Sequence, residues 1–251
     1  MKKNALQLLS LVLALCASSA HAQLIYSSSN TAIAPFSAMK ADAAFVNSTL
    51  LNLGTFQPVP DFDGQIHTFN YAGLTFNNIP NLDPTSPSDL QVGAGFFADV
   101  VFLAKDSSDA NNIGSESSLL GASNQVLYAN YGAGSTLTWR IGANAATDLV
   151  FWHQDTSTDG VKYAMDDILH WTTFTASDIN FTYYIFGIDD RGQISPGLQD
   201  FDDGVFGVRI NNQPVGIVPV PEPGTYGLAA GFFLLGLVKL HRMRQRSAAL
   251  A

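Results

Sequence analysis

Asn180-Phe-Thr-Tyr-Tyr-Ile-Phe-Gly-Ile188 and Asp203-Gly-Val-Phe-Gly-Val-Arg-Ile210 read as the two strands of an antiparallel pair. Both are dominated by β-branched and aromatic residues, which fit a pleated, half-buried surface. Along the second, Val205, Gly207 and Arg209 alternate against Phe206, Val208 and Ile210. Side chains alternate faces on a strand, so both faces of this pair are to be covered. The same alternation puts Tyr183 and Ile185 on one face of the first strand and Tyr184 and Phe186 on the other. Between the strands lies Asp189-Asp-Arg-Gly-Gln-Ile-Ser-Pro-Gly-Leu-Gln-Asp-Phe-Asp202, whose Gly, Pro and Asp residues mark a loop.

The residues before this pair supply more strands of the same kind. Residues 96–105 read as a buried strand with Phe96, Phe97, Val100, Val101 and Phe102. Further strands are expected at residues 24–26, 125–131, 135–141, 149–153, 161–165 and 169–174. Residues 65–76 alternate as a hairpin with its bend at Ala72-Gly73, whereas residues 58–64, 80–89 and 106–118 read as turns or loops. Ala-rich residues 32–53 carry Phe36, Met39, Ala43 and Val46 near helical spacing, which predicts one helix. Lys and Glu are scarce while Gly, Asn, Ser, Thr and aromatics are plentiful, which disfavours long helices. About 196 residues from Gln23 to Val218 suffice for one sizeable core. The fold class is therefore all-β, a β-sandwich or jelly-roll-like body.

Each end of the chain carries a different kind of segment. Lys2 and Lys3, an apolar run over residues 5–17 and Ala20-His-Ala22 form a secretory signal peptide. Cleavage by signal peptidase then leaves Gln23 as the first mature residue. Cys16, the single cysteine, lies within that peptide and follows Leu15 rather than a small residue, which argues against lipidation. The mature chain is thus cysteine-free, without a thiol nucleophile or thiolate metal site. At the other end stand Pro221-Glu-Pro223, an apolar run from Tyr226 to Leu240, and the basic Lys239, Arg242, Arg244 and Arg246. As a helix the 15-residue run would reach about 22 Å, short of a hydrocarbon core of roughly 30 Å. The arginines favour the cytoplasmic side, which leaves the body outside. The expected organisation is residues 1–22 signal peptide, 23–90 N-terminal part of the body, 90–212 sandwich, 213–219 linker, and 220–246 a tail with a single apolar helix.

Pro221, Glu222 and Pro223, followed by the apolar run and the arginines, resemble the PEP-CTERM sorting signal of Gram-negative bacteria. An ordinary tail anchor is the plainer alternative. The resemblance implies processing by an exosortase-type enzyme, transient residence in the inner membrane, and a final place at the cell surface or in an exopolysaccharide matrix. A second resemblance rests on Tyr184-Ile-Phe-Gly-Ile-Asp-Asp190, on Asp200-Phe-Asp-Asp-Gly-Val-Phe-Gly-Val208 and on residues 102–114. These are similar to the end of the secreted bacterial domain family called DUF4114, over roughly residues 90 to 210. Here Phe186-Gly-Ile-Asp-Asp replaces that family's usual Phe-x-Glu-Asp, and Gly204 follows the Asp pair. The family has no known activity, so the resemblance implies a β domain and no mechanism.

Charge and chemistry narrow the function. Between Gln23 and Gly224 six basic residues face 21 acidic ones, a net charge of −15. Such a surface repels nucleic acid; it serves solubility or attracts divalent cations. Asp189 and Asp190 end one strand of the last pair, and Asp200, Asp202 and Asp203 begin the other. A hairpin would bring these carboxylates to one rim, where hard oxygens suit Ca²⁺; a solvated Asp/Gly turn is the bland alternative. The chain has neither H-E-x-x-H nor G-x-S-x-G. His67, His153 and His170 read as polar surface or sheet residues, so no catalytic residue is assigned. Tyr128, Tyr131, Trp139, Trp152, Tyr163 and Trp171 could stack on sugar rings if exposed, with Tyr131 and Trp152 the best placed near turns; core is the competing role. The expected role is structural or adhesive in an exopolysaccharide or biofilm matrix; a secreted polysaccharide-acting hydrolase or lyase is the alternative.

Overall fold

The computed structural model describes residues 24–53, 68–79, 90–117, 124–131, 135–157, 160–165, 170–190 and 200–212. The signal peptide, residues 58–64 and 80–89, the loop interior and the linker and sorting tail lie outside them. Among the described residues no helix is long and apolar enough to cross a membrane.

Thirteen strands are described, in two antiparallel sheets. They are β1 (Leu24–Ser29), β2 (Thr68–Tyr71), β3 (Leu74–Asn78), β4 (Gln91–Val92), β5 (Phe97–Ala104), β6 (Asn111–Ser117) and β7 (Gln125–Tyr128). β8 (Thr138–Ala143), β9 (Thr147–Asp155), β10 (Lys162–Ala164), β11 (Trp171–Ser177), β12 (Phe181–Ile188) and β13 (Gly204–Asn211) follow. The larger sheet runs β1-β8-β5-β13-β12-β11-β3-β2, and the smaller β10-β9-β6-β7 with β4 also paired to β9. The decisive hairpin forms as read: β12 and β13 pair in unbroken register from Phe181↔Asn211 to Ile188↔Gly204. The β2–β3 hairpin turns at Ala72 and Gly73, both at positive φ.

Alternation decides what each face of the large sheet meets. Val100, Phe102, Phe186, Ile188, Phe206 and Val208 belong to the core shared with the small sheet's Ile113, Leu127, Leu149 and Phe151. The Phe206 ring is fully buried, stacked 5.0 Å from Phe186 and edge-on to Phe151 and Trp171. The opposite-facing Val101, Leu103, Tyr183, Ile185 and Val205 form a second core with Phe36, Met39, Leu50 and Leu53. That second core exists because the segment before β2 lies over the sheet. Phe36 rests on Gly207, where a Cβ would come within 2.6 Å of its ring. The body is thus three layers: a helical cover, the eight-stranded sheet and the five-stranded sheet.

Two expectations need correction. The single helix predicted over residues 32–53 is two short ones, α1 (Phe36–Ala41) and α2 (Ala43–Ser48), then a 3-10 turn at Leu50–Asn52. Asp42 interrupts them with non-helical φ −91° and ψ 89°, and its carboxylate accepts the Phe45 N–H at 3.1 Å. A side chain that caps a new helix competes with continuation of the old one. Residues 106–118, read as a loop, contain β6, paired to β9 on one side and β7 on the other. Its sequence shows no apolar alternation because neighbours supply the bulk. Ile113 is its one buried aliphatic, and the Trp152 ring occupies the space beside Gly114. The buried Ser115 hydroxyl donates to Tyr26 Oη at 3.2 Å.

A candidate carboxylate cation site at one end of the sandwich

The hairpin brings its acids to one end of the body, where β12 stops and β13 starts. One carboxylate oxygen each from Asp189, Asp200 and Asp203 lie within 4.8 Å of one another. Two oxygens bound to one Ca²⁺ at about 2.3–2.6 Å can be at most about 5 Å apart, so this triad could hold a metal ion. Asp189 is buried, Asp203 half-buried and Asp200 exposed, which gives the group one open side.

Backbone contacts fix this arrangement. The Asp189 N–H donates to the His170 carbonyl at 3.0 Å, and the Phe201 N–H to Leu53 O at 3.2 Å. The Asp106 N–H reaches Asp202 O at 3.0 Å, tying the end of β5 to the start of β13. Asp203 Oδ2 accepts the Asp190 N–H at 2.8 Å, which closes the hairpin mouth. Gly204 leaves room for Tyr131: a Cβ there would come within 2.4 Å of the phenol oxygen. That contact accounts for a glycine directly after the Asp pair.

Of the five acids predicted as ligands, the structure gathers Asp189, Asp200 and Asp203. Asp190 is turned inward, where its Oδ2 accepts Ser107 Oγ at 2.7 Å and the buried Asn111 Nδ2 at 2.8 Å. It braces the site from behind. Asp202 stands beside the triad, half-buried. The sequence does not single out Ser107 or Asn111, and marks Tyr131 only for sugar stacking, not for this site. They come from strands or loops remote in sequence, and the polar run from Asp106 to Asn112 carries no local sign that it meets the last hairpin.

The electrostatics are those of crowded negative charge. Asp203 is pushed up to about 8, chiefly by burial and then by Asp190 and Asp189. Asp202 is pushed up to about 7, again by burial first, then by Asp200 and Asp106. The Tyr131 phenol is held well above its ordinary value by burial and by Asp203 and Asp190. Repulsion of this kind is relieved by a proton or by a cation. Lys105 approaches the same end, but its ammonium donates to the Asp109 carbonyl at 2.6 Å and lies 5.4 Å over the Tyr131 ring.

The other candidates fare differently. Tyr128, Tyr131, Trp152 and Trp171 are buried, and Trp139 and Tyr163 half-buried. Tyr131 and Trp152, the two best placed for stacking if exposed, take the competing core role at 1% and 2% exposed. Tyr131 is drawn in by the gap at Gly204, and Trp152 by Gly114 under a Lys162 ammonium 3.9 Å from its ring. His153 is a buried residue of strand β9, and His170 is buried just before β11, both packed with Tyr163. His67 and the sorting-signal residues fall outside the described residues. No protein-family model, curated protein or solved structure matches the chain.

Proposed function

We propose that this chain is an exported envelope protein whose β-sandwich is pinned at one end by Ca²⁺ and which serves a structural or adhesive role in an exopolysaccharide matrix. The observation that carries the cation part is the Asp189–Asp200–Asp203 triad at the mouth of the last hairpin. Three hard oxygens on a preformed rim match Ca²⁺, with water free to complete the shell from the open side. The export part rests on the sequence: the Ala20-His-Ala22 cleavage site before Gln23, and Pro221-Glu-Pro223 ahead of the apolar run and its arginines. Signal peptidase would act at the first and an exosortase-type enzyme at the second. The DUF4114-like pattern of the last two strands supports the same placement.

The test is fractionation of producing cells. The protein should be found in the matrix with a C-terminus near Gly224 by mass spectrometry, and a chelator should loosen its retention. Intact chains ending at Ala251 in the inner membrane, indifferent to chelator, would contradict the proposal. A second reading, a secreted hydrolase or lyase, draws on Asp202, raised to about 7 beside the exposed Asp200. A carboxyl protonated near neutrality next to a second carboxyl is the usual equipment of glycoside hydrolysis. Release of reducing ends from the native polysaccharide, lost in Asp202→Asn, would favour that reading.

A further inference from the structure

The end of the sandwich opposite the acid cluster holds a cleft of about 390 Å³. Its walls come from β4, from the turn before β5, and from the ends of β12 and β13 remote from Asp189. Phe96, Tyr184, Gln91, Thr182, Asn211 and Asn212 line it. The Phe96 and Tyr184 rings are half-buried, each packed on the sandwich core by one side. Around them stand three primary amides and one hydroxyl, and none of the lining side chains is charged.

Among the described residues two of the amides, Gln91 and Asn212, are only partly used by the protein. Gln91 donates one N–H to Asp148 Oδ1 at 3.1 Å, and among the described residues nothing else takes up its amide. Asn212 donates one N–H to Asp178 O at 3.1 Å and accepts Thr182 Oγ1 at 2.9 Å. A primary amide offers two donors and a two-lone-pair acceptor, so each keeps capacity for a ligand. Asn211 is buried and its Oδ1 accepts the Phe97 N–H at 2.7 Å, which fixes the floor.

We propose that this cleft binds an uncharged saccharide, a mono- or disaccharide unit of a neutral glycan. Aromatic faces take the C–H side of a pyranose, and amides that both donate and accept match its hydroxyls. The volume sits at the low end of small-molecule sites, about 300–1,000 Å³. A purely apolar ligand would strand the amides without partners. Phosphate or uronate is disfavoured, because no lining side chain is cationic and Gln91 itself donates to the Asp148 carboxylate. The inference stands on the cleft alone and is independent of Ca²⁺ at the other end.

Saturation-transfer NMR and calorimetry on the full-length protein test it. The probes are neutral gluco-, manno- and galacto-oligosaccharides, with uronate oligosaccharides in parallel, each with Ca²⁺ and with chelator. At least one neutral glycan should bind equally well in chelator. Tyr184→Ala should weaken it by about tenfold, equivalent to about 1.4 kcal/mol, whereas Tyr184→Phe keeps the ring and the binding. Gln91 is exposed, so Gln91→Ala should leave the melting temperature unchanged and still weaken binding severalfold; it decides the matter if Tyr184→Ala fails to fold. Absence of neutral-glycan binding, preference for uronates, loss in chelator, or binding unmoved by Gln91→Ala would each overturn the assignment.

Discussion

Phe206 shows how much one side chain carries. Its ring is fully buried between Phe186, Phe151 and Trp171, so Phe206→Ala removes a ring that both sheets enclose. Chemical denaturation should report a loss of about 3–5 kcal/mol; below about 1 kcal/mol the ring is not a core element. Asp99 is the corresponding polar case. Buried on β5, it accepts Arg140 of β8 through Nε at 2.7 Å and Nη2 at 3.1 Å, and Arg209 of β13 at 2.7 Å. One carboxylate thereby ties three neighbouring strands in the same register. Arg140 is half-exposed, so solvent screens that arm, and the drier Arg209 contact dominates. Asp99→Asn should cost about 1.5–3 kcal/mol by the same measurement, the range for hydrogen bonds to charged groups. Gly207→Val would drive two methyl groups toward the Phe36 ring, with a cost of about 1–3 kcal/mol for overpacking. Its effect should fall mainly on the helical cover, visible as faster amide exchange in α1.

The β12–β13 hairpin is the element in which sequence and structure agree most closely. Its facing and acid-bearing mouth follow from period-two alternation and a Gly/Pro-rich connection, both local properties of the chain. β6 was illegible for the converse reason. Its place between β7 and β9 is set by long-range partners, and a strand bearing Asn111, Gly114 and Ser115 shows no pattern of its own. The site divides along the same line. Asp189, Asp200 and Asp203 were readable as a hairpin rim, but the inward turn of Asp190 onto Ser107 and Asn111 needed the β5–β13 pairing to be known. The hairpin mouth also carries a pH dependence with a definite sign. Asp202 and Asp203 are raised to about 7 and about 8, so the folded chain holds protons that the unfolded chain has released. Without a cation, stability is then highest near pH 4 with respect to these groups and falls as pH rises through 7 and 8. Thermal melts in chelator should show that fall. Saturating Ca²⁺ should flatten it, because the cation takes over from the protons.

The large sheet is covered on both faces without a disulfide, and its last hairpin ends in a concentration of like charge. On the proposal made above, Ca²⁺ held by Asp189, Asp200 and Asp203 completes this end of the body. Mass action sets the size of the effect: a cation that binds only the folded state adds about 2.7 kcal/mol at a hundredfold excess over Kd. The most direct measurement is calorimetric titration of Ca²⁺ into the protein near pH 7.5, paired with its melting temperature in Ca²⁺ and in chelator. Saturable binding at or below millimolar Ca²⁺, with a raised melting temperature, is the predicted result. Both should vanish in a folded Asp200→Asn, Asp203→Asn variant. No heat of binding at millimolar Ca²⁺, or binding that survives unchanged in that variant, would contradict the claim.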